Sequence, residues 1–95
     1  MLELENVDRT TFAPCVGQTF EAILTDGRVP LTLAEVRPLG TARPGTTREP
    51  FALIFHCKPT LRLPQHIYRL EHAALGEMEI FLVPIAPGQV EAVFS

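Results

Sequence analysis

Lysine is nearly missing from this chain: Lys58 is the only one among eight basic residues, and the formal net charge is −3. A phosphate-binding surface needs clustered Lys and Arg to release counterions, so this balance argues against a nucleic-acid partner. Cysteine is scarce too, with Cys15 and Cys57 the whole complement. Two thiols cannot make a metal site alone. A disulfide between them would need a geometry that sequence does not supply. Both lie among apolar neighbours, where a free thiol behaves as a small hydrophobe, and both are expected to be reduced and buried. No apolar run approaches the roughly 18 residues of a membrane span. No basic-plus-apolar leader opens the sequence, so the expected setting is cytoplasmic, with no membrane partner.

What the chain does have is alternation. Its 95 residues, 46% hydrophobic and 20% charged, suit one folded domain over 1–95. Phe20, Ala22 and Leu24 alternate with Thr19, Glu21 and Ile23, which reads as a strand over 18–25. Asp26-Gly27 marks a turn. Val29, Leu31 and Leu33 continue the inward set, and the parity changes near Ala34-Glu35-Val36, where a β-bulge or a strand end is expected. Phe51 to Cys57 is apolar on both faces, as in a central or doubly covered strand. Tyr68, Leu70, Met78, Ile80 and Leu82 form the core face of a hairpin closed by Ala73-Ala74-Leu75-Gly76. Arg69, Glu71, Glu77 and Glu79 face water, where Arg69 can pair across the strands with a glutamate. Pro84, Pro87 and Gly88 predict the next turn, and Val90 to Phe94 a final strand.

Ahead of the strands, residues 1–17 form an N-terminal segment with one brief helix within 6–16. Pro14 is tolerated only in a first turn, and Gly17 ends the helix. Its expected role is to plug one end of a sheet or barrel. The fold class is all-β and mainly antiparallel: a small five- to six-stranded barrel or sandwich with a short N-terminal helix. Both architectures use the same alternation.

Residues 37–50 hold three prolines, two glycines and three arginines, and no periodic signal. A loop of that length in a small domain is functional or mobile. Arg37, Arg43 and Arg48 are the candidate ligand residues, able to fork an anion or carboxylate. Ile67, Phe81 and Val83 are apolar on the outward parity of the hairpin, with Ile23 and Ile54 as further candidates. They predict either a protein interface, including self-association, or a surface covered by a loop or by the N-terminal helix.

The chemistry-bearing residues do not converge. His66 and His72 lie six residues apart on one strand, about 20 Å at the strand rise. Adjacent His56 and Cys57 point to opposite faces. Cys57 has inward parity, which disfavours a reactive thiolate. Glu21, Glu35, Glu71, Glu77, Glu79 and Glu91 suit a solvated outer face as well as any acid–base pair. The expectation is therefore no catalytic residue, no metal and no cofactor. The leading function is a non-enzymatic interaction or accessory protein, and the alternative is a small-molecule or anion-binding module.

Five segments carry a resemblance over nearly the whole chain: Phe12–Phe20, Arg48–Phe55, Tyr68–Gly76, Phe81–Ile85 and Glu91–Phe94. Together they resemble a family of small bacterial proteins known only as a domain of unknown function. The resemblance implies no activity and no catalytic residues. Members are similar to products of genes near phage-tail-collar-like genes, which implies an accessory or structural role in a tail-like or secreted assembly.

Overall fold

A computed structural model describes residues 1–41, 44–45 and 48–95. Six strands follow one short helix: α1 (Arg9–Phe12), β1 (Thr19–Leu24), β2 (Gly27–Pro38), β3 (Phe51–His56), β4 (His66–His72), β5 (Gly76–Ala86) and β6 (Gln89–Phe94). Every strand pairing is antiparallel, and the order β1-β2-β3-β6-β5-β4 closes on itself. The barrel form is thus realised, with closure through β1 and β4, where Ala22 pairs with Leu70.

The inward set fills the barrel. Phe20, Ala22, Leu31, Leu33, Phe51, Leu53, Phe55, Leu70, Met78 and Leu82 are all fully buried. Leu24, expected in the same set, reaches the rim and is only half-buried. The parity change in β2 is a bulge: the register with β3 shifts between Leu33 and Glu35, leaving Ala34 as the extra residue. After the bulge Val36 stands opposite inward Leu53, and Glu35 opposite Ile54.

Two expected boundaries need correction. Strand β2 runs on to Pro38, so Arg37 and Pro38 belong to the sheet and not to a 37–50 loop. Pro84 lies inside β5, opposite Val90, and the turn is shorter. The physical reason is shared. Pro30 pairs with Glu21 on β1, but β3 pairing starts only at Thr32. Pro38 pairs with Phe51, but β1 pairing ends at Thr32. Pro84 pairs with Val90, but β4 pairing ends at Leu82. Each proline sits where its strand overhangs and has a neighbour on one side only, so no ladder hydrogen bond is lost.

The outer face of β3 is buried as well, with Ala52 and Ile54 both inaccessible. Their cross-strand neighbours are Arg37 and Val93 for Ala52, and Glu35 and Glu91 for Ile54. Long charged side chains flanking a strand can shield apolar neighbours with their stems while their heads stay in water.

The N-terminal segment plugs one end. The Asp8 carboxylate accepts from the Thr10 amide at 2.9 Å, and the Asp8 amide donates to the Thr11 hydroxyl at 3.2 Å, which caps the single turn of α1. Pro14 follows in a 3-10 turn. Phe12, fully buried, meets Phe51 at 6.2 Å and Phe94 at 5.8 Å between ring centroids. Gly17 then turns the chain into β1 at φ +89°, and its amide donates to the Leu33 carbonyl at 2.7 Å.

Candidate interaction surface

The outward residues of the β4–β5 hairpin form a graded face. Glu71 is opposite Glu77 and Arg69 is opposite Glu79 near the loop, then Ile67 is opposite Phe81. Arg69 reaches diagonally to Glu77 at 4.0 Å. Ile67 is 57% exposed and Phe81 48%, so the helical plug does not cover them. Val83 is half-buried opposite Glu91.

One member of this surface was missed by the hairpin's own alternation. Val93 on β6 is 59% exposed. Extending the β5–β6 register from Val83–Glu91 places it opposite Phe81. Phe81 and Val93 line one shallow groove of about 350 Å³ with Leu4, Glu5 and Arg48. The apolar row Ile67–Phe81–Val93 therefore crosses three neighbouring strands. The signal was the outward parity of Val93, but strand order was needed to place it there. Ile23 and Ile54 lie outside this row: Ile54 is buried and Ile23 is half-buried on β1.

The arginines take separate roles. Arg37 forks Glu35, Nε to Oε2 at 3.0 Å and Nη2 to Oε1 at 3.1 Å. That bond raises the Arg37 pKa and lowers the Glu35 carboxyl's. Arg48 points into the plugged end, where Nη1 donates to the carbonyls of Leu4 (2.7 Å) and Val7 (2.8 Å) and Nε to that of Ser95 (3.2 Å). Its guanidinium also stands 5.5 Å from the Phe94 ring and 6.0 Å from Phe51. Neither group can fork a ligand without giving up a partner in place. Arg43 lies outside the described residues.

The histidines and thiols separate too. His56 and His66 are exposed, whereas His72 is buried at the hairpin end. Its Nδ1 accepts from the Ala74 and Leu75 amides, both at 3.1 Å, which places the ring proton on Nε2, 2.7 Å from the Gln18 side-chain oxygen. The ring also stacks on Phe20 with centroids 4.4 Å apart. His72 is thus the lock of the hairpin loop, a role that parity alone does not reveal. Cys15 is buried and Cys57 half-buried, both unpaired, and burial raises both thiol pKa values. Arg28 on β2 spans to Glu71 on β4 at 2.8 Å and Glu21 on β1 at 3.5 Å. Among the described residues no group of three or more His, Cys, Asp or Glu is placed to hold a metal ion. Among them, too, no helix is long and apolar enough to cross a membrane.

These features define a small closed antiparallel barrel, plugged at one end, with an apolar row across its outer wall. The chain belongs to the family described as Domain of unknown function (DUF6916), whose model matches residues 7–94. Neither the curated proteins nor the solved structures yielded a match.

Proposed function

We propose that the protein is a non-enzymatic interaction module that self-associates through the outer wall of β4, β5 and β6. The observation that carries this reading is the contiguous exposure of Ile67, Phe81 and Val93 on three adjacent strands. Exposed apolar residues scattered singly are ordinary, but a contiguous row marks a contact surface. A two-fold contact presents the same row twice, so one patch supplies both halves of the interface. The non-enzymatic side of the reading draws support from the positive commitments of His72, Arg37 and Arg48 to neighbours within the fold. An accessory role in a tail-like assembly, which the resemblance of the sequence implies, is part of the same proposal.

The test is Phe81→Asp. At 48% exposure Phe81 offers about 100 Å² to a partner. Burying that area is worth about 2.5 kcal/mol per copy, and a two-fold contact buries it twice. The variant should weaken the dimer by more than about a thousandfold while keeping the folded circular dichroism spectrum, and it should melt with wild type at concentrations where both are monomeric. Light scattering over a concentration series reads both proteins. A wild-type chain that stays monomeric at millimolar concentration would end the self-association reading.

A further inference from the structure

The mouth opposite the plug is crossed by residues 57–65, which are held at several points. The Cys57 amide donates to the Gly88 carbonyl at 2.9 Å, the Leu61 amide to Lys58 at 2.9 Å, and the Tyr68 hydroxyl to the Pro64 carbonyl. Leu63 is buried beneath. Gly88 adopts φ +76°, and a Cβ there would stand 2.9 Å from the Cys57 carbonyl oxygen. The crossing segment and the β5–β6 turn are therefore in backbone contact, which makes a firm wall. On one side lies a groove of about 480 Å³, lined by Leu61, Leu63, Pro64, Pro84, Pro87 and Val90, with Arg62 also on its lining. On the other side lies one of about 640 Å³ whose lining includes Lys58 and shares Leu61.

The charge pattern selects this end. Arg9, Arg28, Arg37 and Arg69 each have a carboxylate partner, and Arg48 is bound to carbonyls. Among the described residues, the cations with no such partner are Lys58 and Arg62, both on the crossing segment. In a chain of net charge −3, two uncommitted cations beside apolar grooves are a charge complement waiting for an anion. The first groove has the size of a small-ligand site and offers apolar walls with one charged anchor, Arg62, and the side-chain amide of Gln89.

We infer that this groove binds a small amphipathic carboxylate, with its hydrocarbon chain between Leu61 and Pro84 and its carboxylate on Arg62. The guanidinium offers a fork matched to a carboxylate, and the prolines offer an apolar wall with few donors. This site is at the opposite end of the barrel from Arg48 and the plug. It stands independently of the outer-wall contact.

The probe is sodium octanoate, titrated below its micellar range into the full chain and followed by amide proton–nitrogen correlation spectra. Saturable shifts should appear at 57–63 and 85–90 and not at 67 or 81. Arg62→Gln should weaken binding on the order of tenfold, since a charge-assisted bond is lost. Lys58→Gln should leave it within about twofold, as its ammonium lines the other groove. Octanol, which has the tail without the charge, should bind more weakly than octanoate. The inference is overturned by an absence of saturable shifts at millimolar octanoate, by shifts centred on Ile67 and Phe81, or by equal losses in the two variants. Octanol binding as tightly as octanoate would overturn the role of Arg62.

Discussion

Arg48→Met should cost this protein more than a change at any other arginine among the described residues, and the size of the loss can be worked from the contacts. Methionine keeps the apolar stem beside Phe51 and Phe94 but removes every donor. Two of the lost bonds, to Leu4 and Val7, are partly buried and charge-assisted, while the third, to Ser95, is exposed. A hydrogen bond involving a charged group contributes about 1.5–3 kcal/mol when well shielded; half-burial argues for about 1 kcal/mol for each of the inner two and little for the third. The guanidinium over Phe94 adds up to about 1 kcal/mol. The expected loss is near 3 kcal/mol, or about 12–24 °C in melting temperature for a domain of this size. Urea and thermal unfolding followed by circular dichroism would read it. Arg37→Met is the control: its fork to Glu35 is a surface ion pair, and the midpoint should stay close to wild type. Equal midpoints for the two variants would refute the assignment of Arg48 as the clamp on the plugged end.

Three other outcomes follow from the same geometry. His72→Ala should lower stability by about 2–3 kcal/mol in urea unfolding, because it leaves the Ala74 and Leu75 amides without their acceptor and removes the stack on Phe20. The Asp8 carboxyl is held below its ordinary 3.8, first by the Thr10 hydroxyl and then by the Thr10 and Thr11 amides. A lowered folded value means its contribution is complete above pH 3.8 and disappears as pH falls through the folded value. The stability gap between wild type and Asp8→Ala should therefore be flat near neutrality and narrow in acid. Cys57 should react with iodoacetamide at pH 7.5 more slowly than a free thiol, and Cys15 more slowly still, because burial raises both pKa values.

The core was legible because one rule governs it. Phe20, Leu31, Phe55, Leu70, Met78 and Leu82 all sit inward by simple alternation, and the register breaks only away from them, at the Ala34 bulge and between Pro84 and Ala86. Strand ends were less legible, because proline is locally a stop signal and becomes acceptable only where the neighbouring strand has already ended. Pro38 and Pro84 could not be read correctly without strand order. The apolar row was half visible: Ile67 and Phe81 lie on one hairpin, but Val93 joins them only once β6 is known to lie beside β5. Arg37 and Arg48 looked alike in sequence, eleven positions apart in one arginine-bearing stretch. Their difference comes from a strand that carries Arg37 onto the outer wall and a chain path that carries Arg48 beneath the N-terminal segment.

The overhanging prolines also bear on how the barrel meets other molecules. A closed barrel has no edge strand, but each overhang is a short edge where another chain could add a strand. Pro30, Pro38 and Pro84 occupy such stretches and present no amide hydrogen there, so backbone templating is blocked at the points where closure is incomplete. Copies crowded together would thus be kept from zipping into a continuous sheet at these rims. Side chains on the wall are left to decide which neighbour fits.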